Sequence, residues 1–126
     1  MFTNKVEVLQ MARAMAAHAA ARQGVIAANV ANADTPGYRA RHLPGFAQVW
    51  EAQRMPMAAT RPQHLTGGNR QTIAAVADSA HLSPNGNSVS LEAEMVAAAE
   101  ARQAHDFALA IYRTLSGAIR ATLGRR

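Results

Sequence analysis

The sequence predicts a mainly α fold: two long terminal helices pairing as a coiled coil, with an irregular middle that holds one short helix, loops and either a small β-hairpin or extended chain. Three observations carry this reading. Apolar and small residues recur at alternating three- and four-residue steps over both ends of the chain, the spacing of a helix–helix seam. Hydrophobic residues make up 49% of the 126 positions, much of that alanine, while aromatics are only 5%, so helices form easily and bury little area per residue. Between the ends stand Pro44, Pro56, Pro62, Gly67, Gly68, Pro84 and Gly86, which break any long element. Residues 1–126 are read as a single domain, with an N-terminal helix over 4–33, a turn and irregular middle over 34–89 and a C-terminal helix over 90–124.

The first helix opens on Asn4, with Glu7 three residues on in capping-box spacing. Its seam runs Val8, Met11, Met15, Ala19, Arg22, Ile26 and Asn29, weakened by its two polar members. Gly24 weakens the helix by about 1 kcal/mol and leaves room for another backbone to approach. The second helix begins near Ser90, with Glu92 and Glu94 in the first turn, where carboxylates favour the positive helix end. Its seam reads Leu91, Met95, Ala98, Arg102, His105, Leu109, Tyr112, Ser116, Ile119 and Leu123, flanked by Val96, Phe107, Ile111 and Ala118. Helices of about 30 residues reach roughly 45 Å. In the middle, Phe46, Val49, Trp50 and Gln53 are spaced as one short amphipathic helix behind Pro44, Thr72–Val76 suits a short strand, and Asn85–Gly86 is a turn signal. Trp50 fits packing against its own chain and against a neighbour equally well.

Ala28–Arg41 reads ANVANADTPGYRAR. Asn29 and Asn32 share one helix face, and Asn32 or Asp34 can turn the backbone. Pro36 forces Thr35 out of helical geometry. Thr35-Pro36-Gly37-Tyr38 then suits a type II turn, with glycine supplying the positive φ. The helix stops there, and Tyr38 is offered to a neighbour.

That stretch closely resembles the N-terminal NxANxxTPGY signature of the flagellar rod, hook and hook-associated family. Phe46, the run Thr60-Arg-Pro-Gln-His64-Leu65 and Asn85-Gly-Asn-Ser-Val89 before the C-terminal helix agree with it. Ser90, Ala101 and His105 depart from the acidic residue, asparagine and tyrosine expected there. The resemblance implies a structural subunit, not an enzyme, whose paired helices line an axial tube. It implies a place in the basal-body rod within the periplasmic space, reached by type III export without a cleaved signal peptide. The implied partners are other copies of itself, other proximal rod proteins, the adaptor protein FliE and the inner-membrane ring. Asn29, Asn32, Thr35, Pro36, Gly37 and Tyr38, with Leu109, Tyr112 and Ile119 on the C-terminal seam, are the candidate assembly residues. Sparse seams also predict end helices that stay mobile until a partner covers them.

Other function classes fare worse. With no cysteine there is neither a disulfide nor a thiolate metal site. His18, His42, His64, His81 and His105 lack metal-ligand spacing, and Met55-Pro-Met57 reads as loop filler, so no metal and no cofactor is expected. His105 and Asp106 are adjacent, but helical neighbours point about 100° apart, too far for the carboxylate to orient the ring. No serine sits in a nucleophile elbow and no glycine run forms a phosphate loop. The net charge of +5 raises a nucleic-acid reading, yet the arginines are scattered, with only Arg125 and Arg126 adjacent, which favours a solvated basic surface and no nucleic-acid partner. Met1–Gln10 lacks the apolar core of a secretion signal, and Arg13, His18 and Arg22 interrupt the alanine-rich run, so no membrane insertion is expected.

Overall fold

Helix formers dominate both ends of the chain, and in the computed structural model, which describes residues 2–54, 75–77 and 82–124, both ends are single helices. Helix α1 spans Phe2–Ala31 and α3 spans Leu91–Leu123. Between them come strand β1 (Arg41–His42), helix α2 (Phe46–Arg54) and strand β2 (Val76–Ala77). Among the described residues the main packing is α1 against α3. The two run antiparallel: Asn29 faces Glu94, Arg22 faces Glu100, and Ala12 shares a groove with Leu109 and Tyr112.

The pairing face keeps Ala19, Ile26 and Asn29 of the expected α1 seam and departs from the periodic seam of large residues on α3. Its buried members are Ala12, His18, Ala19, Ile26 and Asn29 on α1, and Glu94, Ala101 and Ala108 on α3. Val8, Met11, Leu91, Met95, Tyr112 and Leu123, assigned to the seams by their spacing, are exposed. The reason is steric. Alanines let two backbones come close along their length, and side chains the size of methionine or tyrosine do not fit in the gap, so they are turned outward. Glu94, Ala101 and Ala108 are seven residues apart, a heptad line of small and polar positions that the large residues mask.

Helix α1 also begins earlier than Asn4, which lies inside its first turn and does not cap it. The α3 start is as expected. Ser90 is the N-cap in extended geometry (φ −106°, ψ 113°), its hydroxyl accepting from the Ala93 N–H at 3.4 Å. A Cβ added at Gly24 meets nothing within 4 Å, so no described backbone of this chain approaches that glycine.

Helix α2 forms where its periodicity puts it and docks on α1 through aromatic contacts. Phe46 packs edge-on against His18 with centroids 5.7 Å apart and stacks on Trp50 at 5.9 Å. The His18 Nε2 lies 2.8 Å from the Pro44 carbonyl oxygen, which only accepts, so Nε2 carries the proton. The strands form one antiparallel pair, Arg41 opposite Ala77 and His42 opposite Val76. This is a long-range pair with α2 between its strands, not a tight hairpin. Thr72 to Ala74 of the expected strand, like Met55, Met57, Thr60, His64 and Leu65, lie outside the described residues.

Candidate functional site

A clasp of side-chain amides holds the end of α1, the turn after it and the approach to α3 at one place. The chain leaves α1 through a tight descent: Asn32 N–H donates to the Ala28 and Asn29 carbonyls, and its Nδ2 donates to Ala28 O at 2.8 Å. Thr35 to Tyr38 then turn as expected. Tyr38 N–H donates to Thr35 O at 3.3 Å, and Gly37 sits at φ 72°. A second turn covers the first. In Ser83 to Asn87, Gly86 N–H donates to Ser83 O and Ser83 N–H to Asn87 O, both at 2.8 Å, with Gly86 at φ 79°. A Cβ at Gly86 would stand 3.4 Å from the Gly37 Cα, so the two left-handed glycines lie back to back.

Cross-links join the two turns. Gly37 N–H donates to Asn85 O at 3.0 Å, Ser88 N–H to Tyr38 O at 3.1 Å, and Ala40 N–H to the Ser88 hydroxyl at 2.8 Å. The Asn87 side chain, almost fully buried, points its Nδ2 at three carbonyl oxygens, those of Asn32, Ala33 and Thr35, at 2.8–2.9 Å. Its Oδ1 accepts from Val89 N–H at 2.8 Å. One amide therefore satisfies carbonyls at the C-terminal end of α1 and a donor just before α3.

Asn29 does the same work one turn lower. It is 0% exposed, and its amide mimics a neighbouring strand: Nδ2 donates to Arg41 O at 2.8 Å, while Oδ1 accepts from Arg41 N–H at 3.0 Å. Nδ2 also donates to Glu94 Oε1 at 2.9 Å, and the Tyr38 hydroxyl donates to Oδ1 at 3.3 Å. Glu94 is buried, and among the described residues its Oε2 has no partner and Asn29 alone bonds its carboxylate. The first-turn carboxylate expected to face the helix terminus is thus turned into the helix pair.

Of the sequence-predicted residues, Asn29, Asn32, Thr35, Gly37 and Tyr38 meet in this clasp, and Pro36 lies exposed at its tip. Asn29 is enclosed by its own chain. Leu109, Tyr112 and Ile119 stand apart, far along α3, with Tyr112 exposed and the other two half-buried. Sequence reasoning did not single out Asn87, Ser88 and Glu94 as site residues. The Asn-Ser pair before the α3 cap and the seven-residue spacing of Glu94 from Ala101 were the available signals.

Nothing in the clasp is arranged for chemistry: its amides and hydroxyls are bound to backbone or to each other. His105 Nδ1 and Asp106 Oδ1 lie 3.8 Å apart, too long for a hydrogen bond. Among the described residues no three His, Asp or Glu side chains could hold a metal ion, and no helix is long and apolar enough to cross a membrane. Fold and site together define the class as a long helix pair locked at one end by a hydrogen-bonded clasp, with large apolar side chains exposed along it. Residues 10–39 match the family model described as flagella basal body rod protein. The chain is 32% identical over 108 residues to the flagellar basal body rod protein FlgB of Agrobacterium fabrum, covering 80% of this chain and 81% of that one. It is 43% identical over 58 residues to FlgB of Escherichia coli and of Shigella flexneri, which covers 46% of this chain and 42% of each relative. The chain belongs to the FlgB family of flagellar basal body rod proteins and is a structural subunit of the rod, not an enzyme.

Proposed function

We propose that the α1–α3 pair builds part of the wall of an axial tube, assembling with other copies of itself and other proximal rod proteins, lining the export channel and transmitting torque through many interlocked contacts. One observation carries this reading. Large apolar side chains stand in solvent off the pairing face, with Met95 at 72%, Leu123 at 70%, Val96 at 62% and Phe107 at 59% exposure. They lie around more than one side of α3, which suits several neighbours at once. In this reading the clasp residues Asn29, Asn32, Thr35, Pro36, Gly37 and Tyr38 set the angle at which the middle leaves the tube, while Leu109, Tyr112 and Ile119 belong to contacts along it. The adaptor protein FliE and the inner-membrane ring are its neighbours at the rod base, in the periplasmic space, and the chain is exported without a cleaved signal. Replacing Val96 and Phe107 together by aspartate should leave the helical content of the isolated chain intact and abolish swimming, with basal bodies lacking rods. Normal motility of that variant would overturn the assignment.

A further inference from the structure

Asn85-Gly86 is a turn signal, and it is also the dipeptide in which an asparagine side chain reacts most readily with its own backbone. Glycine has no Cβ to obstruct the approach of its nitrogen to the neighbouring carboxamide. The residues around it bear directly on that reaction. Asn85 is exposed, so water has access. The nucleophile, the Gly86 nitrogen, has its proton committed to Ser83 O at 2.8 Å. The electrophile's oxygen, Asn85 Oδ1, is held by Asn87 N–H at 3.1 Å. The Asn85 carbonyl is gripped from the other side by Gly37 N–H at 3.0 Å.

We propose that Asn85 is a site of spontaneous deamidation that the closed clasp holds off and an open clasp exposes. In the reaction the Gly86 nitrogen gives up its proton and bonds to Asn85 Cγ. The Cγ–Nδ2 bond then breaks, and ammonia leaves with that proton. Water opens the resulting succinimide at either carbonyl, giving aspartate or isoaspartate, and no oxidant or reductant takes part. Although the Asn87 N–H polarises the carboxamide, attack still requires the Gly86 nitrogen to release Ser83 O and the turn to unwind. Because two hydrogen bonds of ordinary net strength must open first, the folded chain reacts roughly tenfold to hundredfold more slowly than the unfolded one. The isoaspartyl product is damaging. It routes the main chain through Cβ and Cγ, adds a methylene between Cα of residue 85 and the Gly86 nitrogen, and turns the carbonyl that Gly37 holds into a free carboxylate. The clasp cannot re-form on that backbone, so Asn85 records irreversibly any time the chain spends open.

The test compares purified basal bodies with the same material dissolved in urea, both aged at neutral pH, digested, and scored by mass spectrometry for Asp and isoAsp at position 85. A rate lower by roughly tenfold or more in the intact bodies supports the proposal; equal rates, or deamidation confined to other asparagines, would overturn it. A second arm uses Asn87→Ala, which removes the amide tying this loop to Asn32, Ala33 and Thr35. Its isolated chain should deamidate at Asn85 faster than the unaltered chain, and an unchanged rate counts against gating by the clasp.

Discussion

Replacing Asn29 by alanine tests the central cross-link most directly. The change removes four hydrogen bonds at once: two to the Arg41 backbone, one to Glu94 and one from Tyr38. Their partners fare differently. Arg41 lies on an exposed strand, so water can reach its N–H and C=O, and the Tyr38 hydroxyl is half-buried. Glu94 is 2% exposed and keeps no partner on either oxygen. An orphaned buried acceptor costs about 1–3 kcal/mol, and more when it is charged, so the total loss should be about 3–5 kcal/mol. Small domains have only about 5–15 kcal/mol of stability, so the variant should be close to unfolding. Urea denaturation followed by circular dichroism gives the number. The double variant Asn29→Ala with Glu94→Ala separates the causes: with the stranded carboxylate gone, it should be no less stable than Asn29→Ala alone. A single-variant loss below about 1 kcal/mol, or two losses that simply add, would show that the Asn29–Glu94 contact does not hold the helices together.

Three further outcomes are expected. Gly37→Ala and Gly86→Ala each force an L-residue into left-handed backbone, at about 1–2 kcal/mol by the same urea assay, the two being similar because a Cβ at Gly86 meets the Gly37 Cα at ordinary contact distance. Asn87→Ala removes one donor from three carbonyls, of which Asn32 O and Thr35 O keep a backbone N–H, and leaves the Val89 N–H without its acceptor; it should lower stability by about 1–3 kcal/mol and raise hydrogen exchange at Gly37 and Val89 before it does so in mid-α3. The Arg22–Glu100 pair is short at 2.9 Å but largely solvated, so Glu100→Gln should change the unfolding free energy from urea denaturation by under about 1 kcal/mol, a difference that vanishes in high salt.

Features set by neighbouring residues were legible in the sequence. The Thr35–Tyr38 turn follows from one proline and one glycine, α2 from a four-residue apolar pattern, and the α3 start from a serine before two glutamates. What could not be read was the choice of partner across the fold. Asn29 looks like any helical amide until Arg41 and Glu94 arrive beside it, and nothing local marks Asn87 as the donor for residues more than 50 positions earlier. On α1 the predicted seam holds at Ala19, Ile26 and Asn29. On α3 the pairing line lies elsewhere for a related reason: periodicity weights large apolar groups, while two alanine-rich helices are drawn together along the line where side chains are smallest.

The short ladder between Arg41 and Ala77 brings the chain back to where it left. The paired strands fix both ends of the intervening segment at one place beside the helix pair. Lengthening such a segment twofold adds only about 0.6 kcal/mol of closure entropy. A change of length between those strands therefore costs the helix pair little, because its own register does not depend on how long that segment is.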